Sequence, residues 1–255
     1  MNNIHSSSIV SPNAKIGKNV TIGPFCIVHD GVEIADDVTI DSYCEIGIPT
    51  SLAKKPQLSI GKGSKIRSHS VLYIGSEIGK YFVSGHSVCI RENSLIGIHV
   101  QLGSRGDIQG DCNIGDYTKM HADVHIGKMS NIGSYVWLFP EVLLTNDATP
   151  PSEELQGVTI EDFAVLAAKV LVLPGAVIEK DSVVAAGSVV KNKVPAGKLY
   201  SGNPGQVLCN ASILKCATNI KQKAYPWRFR FHRGYSEQDI QNWLEELNEF
   251  ESKKS

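Results

Sequence analysis

Val88-Cys-Ile90-Arg-Glu-Asn-Ser-Leu-Ile96-Gly-Ile-His-Val-Gln-Leu102-Gly-Ser-Arg-Gly-Asp-Ile108 places an aliphatic residue at every sixth position. Extended outward, the same frame runs Ile4, Val10, Ile16, Ile22, Val28, Ile34, Ile40 and Ile46, then Ile60, Ile66, Leu72 and Ile78. It passes one polar position, Ser84, and continues from Ile90 through Ile114, Met120, Ile126, Ile132 and Leu138 to Leu144. Ile160, Leu166, Val172, Ile178, Val184 and Val190 complete it. With 28 of 29 frame positions aliphatic or Met, chance is excluded. A helix repeats at 3.6 residues and a strand at 2, so neither produces a period of six. A β-solenoid with three flat sides of one hexapeptide each does, and it stacks each inward side chain on its equivalent eighteen residues away.

The expected fold is therefore all-β, a left-handed parallel β-helix of about ten coils over residues 1–194. At a strand spacing of ~4.8 Å the prism is on the order of 48 Å long. Two insertions, 52–59 and 145–159, interrupt the frame and read as loops at corners. The frame ends at Val194-Pro-Ala-Gly197, and residues 195–255 form a C-terminal extension. Within it, Ser236 is a good N-cap, followed by Glu237 and Asp239 in a first turn. Ile240, Trp243, Leu244, Leu247 and Phe250 trace an apolar face, predicting a helix near 236–250. The segment Tyr225-Pro-Trp-Arg-Phe-Arg-Phe-His-Arg233 alternates aromatic and basic residues. It reads either as a strand or hairpin packed on the solenoid or a neighbouring subunit, or as arginines meeting phosphate groups.

The formal net charge of −1 implies no polyanion-binding surface, so no nucleic-acid partner is expected. No apolar run approaches 18 residues and no leader layout is present, so a cytoplasmic protein with no membrane partner is expected. Cys26, Cys44 and Cys112 sit two positions before the frame, in a small inward column, and act as compact hydrophobes. No CxxC spacing suggests zinc or disulfides, so no metal is expected.

A regular solenoid is a scaffold, and its function resides in what decorates it. On the side that begins at residue 84, the residues after the frame are Gly85, Gly103, His121, Phe139, Ala167 and Ala185. This strip of mostly small side chains reads as a groove for a slender ligand approaching backbone amides. The same side supplies His86, Arg105, Asp123, Pro140 and Glu141, and the strip is expected to border the 145–159 loop.

The terminal stretch from Val172-Leu-Pro-Gly175 to Val190, with Val194-Pro-Ala-Gly197 and Gly202-Asn-Pro-Gly205, resembles the last coils of hexapeptide-repeat acyltransferases. That family consists of trimeric left-handed β-helices with acyl-donor sites between subunits. Ser84-Gly-His-Ser-Val-Cys-Ile-Arg-Glu-Asn93, Val136-Trp-Leu-Phe-Pro-Glu141 and Thr145-Asn-Asp147 look more specifically like nucleotide-linked amino-sugar N-acyltransferases, closest to the dTDP-4-amino-4,6-dideoxyglucose type of the anthrose pathway. Many such enzymes continue Asn-Asp with Tyr-Pro-Arg, where this chain has Ala148-Thr-Pro-Pro151.

The resemblance implies a homotrimer that transfers an acyl group from acyl-CoA to the amine of a dTDP-amino-deoxysugar. Ala167 and Ala185 would offer backbone groups to the pantetheine arm, and Phe139 would line the pocket of the donor's acyl chain. Lys191, Lys193 and Lys198 would meet the CoA phosphates, and Asn203-Pro204 would lie near the adenine. His86, Arg91, Glu92, Asn146 and Asp147 would contact the sugar nucleotide. A sugar amine must attack neutral and the oxyanion must be held by a donor. His121 is the candidate base, Glu141 a candidate acceptor of the amine's hydrogen bonds, Ser84 the one polar break in the frame column, and Ser94 a further candidate in the small inward column, where serine is ordinary. Three alternatives compete. One is a carrier-protein-dependent O-acyltransferase of the lipid A type, and another a solenoid without activity. The third is a zinc hydratase of the γ-carbonic-anhydrase type, for which His86, His121 and His125 have the wrong spacing, four where that family has five.

Overall fold

The computed structural model describes residues 1–252, apart from the side chains of Phe250 and Glu251; the Phe250 end of the expected helix face therefore lies outside the described side chains. It is a parallel β-solenoid, a left-handed β-helix, whose short strands form three flat sheets. The first face begins with Asn3–Ile4, the second with Ile9–Val10 and the third with Lys15–Ile16. Coils are joined along the prism axis: Lys119 N–H donates to the Val136 carbonyl at 2.8 Å and Trp137 N–H to that of Ala164 at 3.0 Å. Frame residues pair in register, Ser84 with Leu102, Leu102 with Met120 and Met120 with Leu138. Ile40 pairs with Ile66 and Leu138 with Leu166, so both insertions leave the ladder intact. Each insertion departs from the edge between the second and third faces, after Ile46 and after Leu144.

The frame residues make one continuous core from Val20 to Tyr200. Most serines two positions before the frame are inward and bond to nearby carbonyls, as Ser70 Oγ does to Arg67 O and Ser130 Oγ to Gly127 O, both at 2.7 Å. Cys26, Cys44 and Cys112 are buried free thiols in the same column.

Corners add a feature that the aliphatic frame does not announce. The third residue after a frame position usually adopts a left-handed backbone, from Asn19 (φ 56°) to Asp181 (φ 59°). Many are aromatic, although the left-handed region disfavours bulky side chains. Stacking accompanies these conformations: on the edge between the third and first faces, Tyr81, His99, Tyr117, Tyr135 and Phe163 form a column with ring centroids 4.7–5.1 Å apart. That spacing matches the rise of one coil.

Past Val194, the strand Lys198–Gly202 still stacks in parallel on the first face, and Gly205–Asn210 folds back antiparallel on it. The aromatic-basic segment is neither strand nor hairpin; it forms a short 3-10 turn at Trp227–Phe229, docked on the aromatic column. Trp227 Nε1 donates to the Phe163 carbonyl at 3.0 Å, Trp137 Nε1 to the Tyr235 hydroxyl at 3.0 Å, and Tyr135 Oη to Asp239 at 2.8 Å. Helix α1, Glu237–Ser252, starts where Ser236 Oγ accepts the Asp239 N–H. Trp243 is buried, whereas Leu244 faces solvent, so the apolar face is narrower than expected. No helix among the described residues is long and apolar enough to cross a membrane.

Arg228 is buried and bonded to Asp181 of the solenoid and Glu246 of α1, so this arginine meets carboxylates of its own chain. The two acids respond in opposite ways. Hydrogen bonding from Arg228 lowers the Glu246 pKa, while burial pushes Asp181 up despite the nearby guanidinium. Asp181 is the more enclosed partner and depends more on the cation.

Two stability predictions follow from these contacts. A Cβ at Gly103 would lie 2.4 Å from the His121 carbonyl carbon, forcing two coils apart. Gly103→Ala should cost about 1–3 kcal/mol in chemical denaturation, whereas Gly187→Asn, at a left-handed corner with open space, should stay within about 0.5 kcal/mol. Arg228→Met should cost about 3–5 kcal/mol by leaving Asp181 buried and unpaired, and adding Asp181→Asn should recover part of that loss.

Candidate active site

His121 follows the frame residue Met120 on the first face and points outward. Its ring stacks on Phe139, one coil further on, at 4.8 Å and 14°, and lies tilted to Trp137 at 6.1 Å. The C-terminal segment builds the opposite wall from Tyr225, Trp227, Phe231 and Arg233. Together with Val165 these groups enclose a mainly apolar cleft of about 320 Å³. A more polar groove of about 640 Å³ continues from it toward Ser84 and Gly85, sharing His121, Trp137, Phe231 and Arg233.

Burial lowers the His121 pKa below its ordinary 6.5, which keeps the imidazole neutral near pH 7. Two cations edge the groove. Lys119 Nζ sits 4.8 Å from the Trp137 ring and 4.3 Å from that of Tyr235, and the Arg233 guanidinium lies 5.8 Å from Phe231. Burial, with Arg233 adding to it, lowers the Lys119 pKa. A neutral imidazole beside an apolar slot can accept a proton from a bound nucleophile, and nearby cations can hold an anionic group.

Of the residues singled out from sequence, His121 and Phe139 line the cleft, and Ser84 lines the adjoining groove. Ser84 itself is buried, with its hydroxyl accepting the Arg67 N–H at 2.8 Å. Ser94 lies inside the prism, fully buried, with its hydroxyl unpartnered among the described residues. His86 is on the same face but bonds Ser68 at 2.8 Å and is not among the groove-lining residues. The backbone N–H groups of Ala167 and Ala185 donate to Val184 and Tyr200, so they are committed to the inter-coil ladder. Gly85 and Gly103 are small because the next coil passes within 3 Å of where a Cβ would be, a packing reason rather than a ligand-binding one.

The other candidates lie elsewhere on the same chain. Glu141 occupies the corner between the first and second faces, 3.5 Å from Lys169. Arg91 is on the second face, bonded to buried Glu92 at 3.2 Å. Asn146 and Asp147 stand on the edge opposite the first face, so the 145–159 loop does not border the His121 strip of its own chain. Asp147 organises that loop, accepting from Thr149 N–H at 3.1 Å and Ser152 N–H at 2.9 Å. Lys191 is exposed on the second face, Lys193 pairs with Glu179 on the third, and Asn203-Pro204 forms the tip of the terminal hairpin. His86, His121 and His125 do not meet, since His125 is on the second face, paired with Asp107 at 2.9 Å.

Lys119 is absent from the sequence candidates, and the 225–233 segment, expected to pack on the solenoid or meet phosphate, walls the His121 cleft. Lys119 was legible, because it precedes the frame residue on the same outward face, next to Trp137 in the ladder. The wall was not, because nothing local in 225–233 states which coils it covers.

Residues 3–47 match the family described as bacterial transferase hexapeptide (six repeats). The acyl-[acyl-carrier-protein]--UDP-N-acetylglucosamine O-acyltransferase of Thermodesulfovibrio yellowstonii is 31% identical over 166 residues, covering 64% of this chain and 57% of that protein. The enzyme of the same name from Rickettsia typhi is 33% identical over 122 residues, 38% of this chain and 44% of that one. The matches therefore span about half the length of these curated relatives. A solved UDP-N-acetylglucosamine acyltransferase superposes with a TM-score of 0.52 at 25% identity, covering 82% of this chain and 74% of the other. Repeat, register and likeness agree: the chain is a hexapeptide-repeat β-solenoid, similar to acyltransferases built on that repeat.

Proposed function

We propose that this protein transfers an acyl group from a thioester donor to a nucleotide-linked sugar, with His121 as the general base. The observation that carries this reading is a neutral imidazole held against Phe139 in an aromatic cleft. The acceptor's nucleophile attacks the thioester carbonyl as His121 takes its proton. The C–S bond then breaks, and the proton returns to the departing sulfur. The apolar cleft accommodates the acyl chain, while Lys119 and Arg233 face the anionic part of a substrate.

A hydroxyl acceptor needs such a base more than an amine does, because an amine is partly neutral at pH 7 and its proton can leave through water. That consideration, with the activities of the relatives, favours carrier-protein-dependent O-acylation of a UDP-amino sugar. The second reading is CoA-dependent N-acylation of a dTDP-amino-deoxysugar, favoured by Thr145-Asn-Asp147 and the terminal coil sequence. Both readings use a homotrimer. Within one chain Asn146 and Asp147 stand opposite His121, and a second copy laid against the first face would supply such groups to the groove.

Thioester cleavage with acyl-CoA or acyl-carrier protein, against UDP-N-acetylglucosamine or dTDP-4-amino-4,6-dideoxyglucose, tests the proposal. Acceptor-dependent thiol release is expected with one pair, and its absence with every pair overturns acyl transfer. His121→Ala should lower kcat by about 10²–10⁴-fold while the fold survives. The pH profile carries a sign. Because burial lowers the His121 pKa, the acid limb of kcat/KM with a hydroxyl acceptor should have its midpoint below 6.5. A midpoint above 6.5 with that acceptor would exclude His121 as the base.

A further inference from the structure

Between Ser182 and Ser236 the chain has nine Lys or Arg residues and no Asp or Glu. Two of the nine are neutralised by carboxylates outside that stretch, Lys193 by Glu179 and Arg228 by Asp181 and Glu246. Lys221, Lys223 and Arg230 behave differently. They converge on a second cavity, about 670 Å³, between the hairpin Lys215–Cys216/Asn219–Lys223 and helix α1. Among the described residues none of the three pairs with a carboxylate, and no acidic residue lines the cavity. An anion entering the cavity would meet three cations and no carboxylate in its lining. Tyr225 and Phe229 also line this cavity and present aromatic surface beside the cations.

We infer that this cavity binds a phosphorylated nucleoside. Ammonium and guanidinium groups grip phosphate through charge-assisted hydrogen bonds, and aromatic rings stack on a planar base whatever its identity. Tyr225 also lines the His121 cleft, so the cavity adjoins the candidate active site. It is separate from Lys191, Lys193 and Asn203-Pro204, to which the sequence resemblance assigned the nucleotide end of CoA. The inference rests on the acyl-transfer reading only for the source of the nucleoside, either the adenosine bisphosphate end of a CoA donor or the nucleoside diphosphate of the acceptor.

Calorimetric titration of the full chain with adenosine 3′,5′-bisphosphate, UDP and inorganic pyrophosphate tests it. One nucleotide should bind, more weakly as salt is raised. Arg230→Ala, and separately the double variant Lys221→Ala with Lys223→Ala, should each weaken that binding by about tenfold or more. Arg230→Lys should retain most of it, and circular dichroism should show each variant folded. The nucleotide that binds identifies the source. Binding of pyrophosphate alone, of none of the three, or binding unchanged in the variants would overturn the inference. Variant-sensitive nucleotide binding without acyl transfer would leave the cavity standing and remove the enzymatic reading. Acyl transfer with unchanged KM values and variant-insensitive binding would do the reverse.

Discussion

Hydrogen bonds running along the prism axis, such as Gln101 N–H to Thr118 O at 3.0 Å and Lys119 N–H to Val136 O at 2.8 Å, set the rest of the structure. They fix the rise of each coil near ~4.8 Å and forbid drift in register. Once that rise is set, inward side chains must stack on their own kind. Residues after the frame must clear the next coil, and ring-bearing corners fall at stacking distance. Insertions are tolerated only at corners, where they leave the ladder untouched. The His121–Phe139 stack is one more product of the rule, because a histidine and a phenylalanine one coil apart on a face are brought to 4.8 Å without any dedicated support.

Much of this was legible from single residues. The frame at Ile90, Ile96 and Leu102 names three faces, and counting by eighteens puts His121 beside Phe139. The same counting assigns Leu144 to the second face, so the position of the 145–159 loop was also calculable. The small-residue strip misled because Gly85 and Gly103 answer to the neighbouring coil, and composition alone does not separate packing from ligand access. The left-handed corners were hidden because aromatic residues such as Tyr117 and Tyr135 are poor predictors of that backbone; their conformation is intelligible only with the stack they join.

The docking of residues 225–243 lay beyond sequence reading for a different reason. Its decisive bonds are Trp227 to Phe163, Tyr235 to Trp137 and Asp239 to Tyr135, contacts between groups 64 to 104 residues apart. Alternation of aromatic and basic residues suggests a strand or hairpin, but among the described residues no partner strand lies on that edge. The aromatic column takes it up instead: Trp243 meets Tyr135 and Phe163 edge-on, and Trp227 lies tilted to Phe163. The cleft beside His121 thus owes one wall to the solenoid and the other to the extension, so its shape depends on that docking.

All three tryptophans of the chain, Trp137, Trp227 and Trp243, sit at this junction. The solenoid core itself, among the described residues, contains none, being built mostly of Ile, Val, Leu and small residues with Phe82, Met120 and Tyr200. Indole emission excited beyond the tyrosine band therefore reports on whether the extension is seated, while amide circular dichroism reports on the coils. The molecule carries its own two-channel optical readout, able to separate release of the cleft wall from melting of the scaffold.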